Sequence, residues 1–182
     1  MKEYEYSLQL MGRNVKNVNL RKHMLSCAAA MEALARLFNE DTLLWKTVGI
    51  LHDIDYELTS DDFSFHGIRG KQLLKEEGYS DTVCDAVEAH VGNTPRETKL
   101  KKAIYSVDPL TGIIVACALI RPEKKLGPLD VEFVKKRMTE KRFAANASRQ
   151  PIYDSVELGI TMEEFIGTVL DSMKGISADL GL

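Results

Sequence analysis

Apolar residues recur at three- and four-residue intervals along most of the chain, and no stretch alternates as a half-buried strand would. The spacing predicts helices throughout. Tyr4, Leu8 and Met11 give a short helix over 4–14. After a polar break, Asn19 reads as the N-cap of a long helix with Leu20, His23, Cys27, Met31 and Leu34 on one stripe. Asn39-Glu40-Asp41 closes it and opens another, carrying Leu44, Val48 and Leu51 and ending at His52-Asp53. Residues 54–65 read as a loop with a polar centre at Thr59-Ser60-Asp61-Asp62. A helix follows over about 65–77, stopped by Gly78. Ser80 caps the next, with Val83, Ala86, Val87 and His90 on one side, and Gly92-Asn93-Thr94-Pro95 is a turn.

Leu100, Ile104 and Asp108 then share a helical face. Pro109 is expected to kink or restart the helix, and the apolar run from Gly112 to Ile120 reads as its buried continuation. Arg121-Pro122 ends it. Three further helical patterns follow, at about 129–141, 148–158 and 161–179, with Thr161 and Glu164 as a capping box. The expected fold is all-α: a single domain over 1–182, with a helical bundle over about 14–122 and accessory helices over about 128–182.

Composition changes this picture little. Apolar residues make up 45% and charged residues 28%, as in ordinary globular proteins. A net charge of −3 gives no general attraction to nucleic acid or anionic membrane. The apolar run is too short to span a bilayer, and Met1-Lys2-Glu3-Tyr4-Glu5 does not open as a signal peptide, so a cytoplasmic protein is expected. Cys27, Cys84 and Cys117 are widely spaced and read as small buried hydrophobes. A homo-oligomer is compatible with all of this.

The polar residues on the apolar stripes alter the reading. His23, His90 and Asp108 each lie where an unpartnered polar group is expensive, and His52-Asp53 ends an apolar helix. Each has a bland local explanation, as a satisfied core histidine or a capping aspartate. A divalent transition metal satisfies all of them together, because it accepts imidazole lone pairs and neutralises carboxylates.

In chain order, His23, His52-Asp53, His66, His90 and Asp108 resemble the HD superfamily of metal-dependent phosphohydrolases. The text that carries the resemblance is Leu20-Arg21-Lys22-His23, Ile50-Leu51-His52-Asp53-Ile54, His66-Gly67-Ile68-Arg69-Gly70, Ala89-His90 and Val107-Asp108. The resemblance implies an all-helical fold and two metal ions, Fe or Mn, with Ni, Co or Zn also suited to the donors. His23, His52, Asp53 and Asp108 would hold one ion, and Asp53 would bridge to a second held by His66 and His90. It implies hydrolysis of a phosphoester or phosphoanhydride in a small phosphorylated molecule, favouring a nucleotide. Dinucleoside polyphosphates are one attractive case. Some relatives use the same ligands as a di-iron oxygenase, and others are non-catalytic signalling modules; here every ligand position is filled.

Asp53 and Asp55 are the candidate catalytic carboxylates, with Asp55 orienting a ligand or the water. The lysine that many relatives carry after the His-Asp pair is replaced here by Asp55-Tyr56-Glu57. Arg69, one turn after His66, and Arg142 and Arg149 from the basic tail are the candidate substrate cations. The tail's charge run reads otherwise as a solvated face. Nucleic-acid binding is not expected, because Phe143 alone interleaves with that run.

Overall fold

The computed structural model describes residues 4–92 and 94–182; Asn93 of the expected turn lies outside the described residues, as do Met1 to Glu3. Among them the chain is all-α, without a strand. α1 (Tyr4–Asn14) leads into the long α2 (Val18–Phe38), which turns back as α3 (Thr42–Leu51). Short 3₁₀ turns at Glu57–Thr59 and Phe63–Phe65 precede α4 (Ile68–Glu76) and α5 (Asp81–Ala89). α6 (Lys99–Leu119) crosses the core. The tail adds α7 (Val131–Met138), α8 (Gln150–Tyr153), a 3₁₀ segment at Asp154–Leu158, α9 (Met162–Gly175) and α10 (Ser177–Leu180).

Local chemistry sets the boundaries. Asn17, not Asn19, caps α2: its side chain accepts from the N–H groups of Asn19 and Leu20, so the helix starts at Val18. Asp41 accepts from Leu44 N, and Thr161 from Glu164 N, each satisfying one orphan donor of a first turn. The helix expected from 65 begins only at Ile68. Gly67 has φ +78°, a conformation no helix contains, so His66 is left on a bend in front of α4. Ser80 occupies the N-cap of α5 without a side-chain capping bond.

α2 is the central helix and packs against α3, α6 and α9. Its approach to α3 is unusually close. A Cβ on Gly49 would lie 2.7 Å from Ala28 Cα and 2.7 Å from Cys27 O, so glycine lets backbone meet backbone and brings the end of α3 beside His23. α4 lies on α5, with Lys71 Nζ bridging Asp85 at 2.8 Å and Glu88 at 2.7 Å. α6 is long and apolar enough to cross a membrane by length and composition, but it is the core helix here, with Ile104, Val107, Leu110, Ile113 and Ile114 all fully buried. It also continues unbroken past Pro109. Packing against α2, α5 and α9 outweighs the roughly 3 kcal/mol that a mid-helix proline costs locally.

Candidate metal centre

Five segments deliver the six expected ligands to one place. α2 brings His23, and the close contact at Gly49 sets His52 and Asp53 opposite it. The bend at Gly67 turns His66 inward, the end of α5 supplies His90, and α6 supplies Asp108. His23 Nε2 lies 3.1 Å from Asp108 Oδ1, 3.2 Å from His52 Nε2 and 3.5 Å from Asp53 Oδ2. His52 Nε2 is 3.4 Å from the same Asp53 Oδ2. On the other side, His66 Nε2 and His90 Nε2 are 3.2 Å apart, and each lies 3.3 Å from Asp53 Oδ1. The two oxygens of Asp53 therefore face two separate pairs of histidines.

The outer nitrogens show what the inner ones can do. His52 Nδ1 donates to Gly49 O at 2.9 Å, His90 Nδ1 donates to Val87 O, and His66 Nδ1 donates to Asp55 Oδ1 at 2.9 Å. Thr111 gives its hydroxyl proton to Asp108 O, so its oxygen accepts from His23 Nδ1 at 3.1 Å. With every Nδ1 protonated, a neutral ring presents a lone pair at Nε2. Four such lone pairs face one another and two carboxylates, an arrangement that requires positive charge at its centre. Ligands about 2.1 Å from a shared ion lie roughly 3.0–3.4 Å apart, which is the spacing seen. The donor set thus fits a divalent metal.

Without that charge, protons take its place. Burial disfavours charged His23 and His52. The anionic groups beside them, Cys27 and Asp108 for His23 and Asp53 for His52, nevertheless hold both well above the usual imidazole range. Burial also lowers His66, but Asp53 and Asp55 carry it up to about 9. Burial raises Asp53, and the histidines around it, His52 foremost, more than reverse this and hold it well below the usual carboxylate range.

Asp55 is fully buried, and both its oxygens are engaged. Oδ2 accepts from Gly67 N at 2.8 Å and Gly70 N at 2.7 Å, while Oδ1 takes the His66 proton. The sequence placed Asp55 among the catalytic carboxylates; its position makes it a residue that orients a ligand.

A cavity of about 590 Å³ opens over the cluster, lined by His23, His66, His90 and Asp108 together with Tyr105 and the tail residues Asn146 to Ser148. The three candidate substrate cations are not among its lining residues. Arg69 is exposed, its guanidinium 5.5 Å from the Phe65 ring. Arg142 is exposed. Arg149 turns away and donates to the carbonyls of Phe143, Ala144 and Ala147, so it shapes the loop that walls the cavity.

A family model described as HD domain matches residues 20–139. The chain belongs to the HD domain family. Ribonuclease Y of Desulfotalea psychrophila is 28% identical to it over 94 residues, 52% of this chain and 18% of that protein. Ribonuclease Y of Chlorobium phaeovibrioides is 31% identical over 93 residues, again 18% of its own length. The likeness thus spans under a fifth of these relatives. No solved structure matches the chain.

Two residues of this HD domain's centre escaped the sequence reading. Cys27 is buried, as expected, but its sulfur sits 3.8 Å from His23 Nε2, and it can join His23, His52 and Asp108 as a ligand. Burial raises its thiol, and His23 and His52 draw it down to about 7. Thr111 orients His23. Both follow a ligand at helical spacing, Cys27 four residues after His23 and Thr111 three after Asp108, and that spacing was the available signal.

Proposed function

We propose that this HD domain is a metal-dependent phosphohydrolase with two transition-metal ions. It would cleave a phosphoester or phosphoanhydride in a small phosphorylated molecule, with a nucleotide as the favoured substrate. The observation that carries this reading is the division of buried Asp53, one oxygen toward His23 and His52 and the other toward His66 and His90, beside an open cavity that His23, His66, His90 and Asp108 line. His23, His52, Asp53 and Asp108 would hold one ion; Asp53, His66 and His90 would hold the other. Imidazole and carboxylate donors favour Fe or Mn, with Ni, Co or Zn also suited. When bound, such a pair lowers the pKa of a water toward neutrality and offsets charge on the phosphoryl oxygens.

The chain's own residues supply the rest. Asp53, with one oxygen toward each histidine pair, would be shared by both ions and would be the central carboxylate of the site. Asp55 keeps the His66 proton on Nδ1, so that Nε2 stays a ligand. Tyr105, Asn146 and Ser148 give the cavity wall hydroxyl and amide groups for the substrate. In hydrolysis the water oxygen joins phosphorus, the leaving oxygen departs with the bonding electrons, and the protons pass to that oxygen or to solvent. The ribonuclease relatives act on RNA by their name, which supports phosphorus-ester hydrolysis as the reaction class.

The test is a panel of nucleotides, dinucleoside polyphosphates and small phosphoesters, incubated with Mn- or Fe-loaded protein purified anaerobically, with Asp53→Ala as control. Turnover absent from the control supports the reading. Silence across the panel with metals bound overturns it and makes oxygen consumption by the iron form the next measurement.

A further inference from the structure

The cavity over the metal ligands is half of a longer trough. A second cavity of about 490 Å³ lies between α2 and α6 and shares His23 and Gly112 with the first. Its walls are apolar on one side, with Val115, Leu119, Leu180 and Leu182, and polar on the other, with Asn19 and Lys22 of α2. One face of α6 floors both halves. Tyr105, Asp108, Gly112, Val115 and Leu119 follow at intervals of three or four residues, so they align along the helix. From Tyr105 to Leu119 that face runs about 21 Å at 1.5 Å per residue. Of the candidate ligands, His23 borders both halves, and Asp108 stands one turn from the Tyr105 end. Gly112 forms the saddle, where an added Cβ would meet nothing within 4 Å.

We propose that the trough takes a two-armed substrate, a phosphorus ester or anhydride substituted on both sides of the phosphorus that is cleaved. This rests on the hydrolytic reading above. One arm lies in the cavity beside Tyr105 and Ser148. The other, a nucleoside or a comparable ring system, lies in the leucine-lined cavity. Each half has the volume of a small-molecule site, and an apolar body with polar groups along one edge matches the lining of the second half. A terminal monoester would leave that half without an occupant. Lys22 marks its outer wall, where Nζ donates to Leu180 O at 2.8 Å and holds the α10 segment against the groove.

The test uses two compounds that release the same p-nitrophenolate, read by absorbance with the full-length Mn-loaded protein. Thymidine 5′-(p-nitrophenyl phosphate) has two arms and p-nitrophenyl phosphate has one. Two variants alter the trough without replacing a candidate ligand. Gly112→Leu raises its saddle while improving helix propensity, and Leu119→Glu places charge at its apolar end, where Leu119 is half exposed. The diester-to-monoester ratio of kcat/KM is expected to fall about tenfold in each variant, mainly through KM for the diester. A ratio unchanged in both variants overturns the two-armed assignment while leaving hydrolysis standing. If neither compound nor any member of the nucleotide panel is turned over with metal bound, the hydrolytic reading fails instead. Binding of the thymidine diester to metal-free protein then decides the trough: shifts in the methyl resonances of Val115, Leu119, Leu180 and Leu182 support it, and their absence overturns it.

Discussion

Replacing Asp55 by asparagine tests the centre without removing a ligand. The carboxylate accepts three hydrogen bonds, two from Gly67 N and Gly70 N on Oδ2 and one from His66 Nδ1 on Oδ1. Asparagine has one accepting oxygen. If its amide nitrogen faces the two glycine N–H groups, two buried donors lose their acceptor at about 1–3 kcal/mol each. The opposite orientation is therefore favoured, with the amide nitrogen facing His66 Nδ1. That nitrogen donates, so His66 must move its proton to Nε2, the atom that faces Asp53 and His90. The fold stays, at a cost of about 1–2 kcal/mol for a lost charge-assisted bond. The second ion proposed above, at His66 and His90, is expected to bind 10–100-fold more weakly, about 1.4–2.7 kcal/mol, as when a partner orienting a ligand is lost. Elemental analysis after equilibration against graded Mn, with thermal unfolding as fold control, reads both effects. Asp55→Ala, which orphans all three donors, should lose about 3 kcal/mol or more of stability. Two ions bound with wild-type affinity in Asp55→Asn would refute the tautomer argument and, with it, the orienting role of Asp55.

Gly49→Ala should force α2 and α3 apart, because the new methyl meets Ala28 Cα and Cys27 O at 2.7 Å. Overpacking costs about 1–3 kcal/mol, and Tm should drop about 2–4 °C for each kcal/mol in a chain of this size; an unchanged Tm would show that the helices are not so closely opposed. Arg149→Ala strips the donors from the Phe143, Ala144 and Ala147 carbonyls, so limited proteolysis between α7 and α8 should speed up and KM rise. Lysine should not rescue it, since one ammonium cannot reproduce the guanidinium fork, and equal KM values in wild type, Ala and Lys would remove Arg149 from the site's support. The pH dependence follows from His66. Its folded value, about 9, exceeds the ordinary 6.5, so its contribution to metal-free stability is complete below 6.5 and is lost as pH rises through about 9. Metal must displace that proton, so apparent affinity should climb with pH up to about 9, and calorimetry in buffers of different ionisation enthalpy should count protons released at pH 7. Binding without proton release would contradict a protonated cluster.

Much of the fold was legible because helices announce themselves locally. The 3.6-residue period placed α1, α2, α3 and α6, and the cost of polar groups on apolar stripes singled out His23, His90 and Asp108 before any contact was known. Errors fell where local rules compete. Asn17 and Asn19 are both good caps, and the backbone donors within reach chose Asn17. Pro109 should break a helix, and burial of both flanks kept it whole. The tail arginines showed charge but no direction, so Arg149 could not be known to turn toward its own loop's carbonyls.

The sequence by itself therefore determined the all-helical class and the kinds and order of the candidate ligands along the chain, since these depend on periodicity and residue chemistry. Tertiary structure decided the rest. Contacts between residues far apart in sequence divided the oxygens of Asp53 between two histidine pairs. They buried Asp55 behind His66, set Cys27 and Thr111 beside His23, and joined two cavities along one face of α6. Helical spacing fixes which face a side chain occupies, but only the crossing of one helix on another fixes what that face meets.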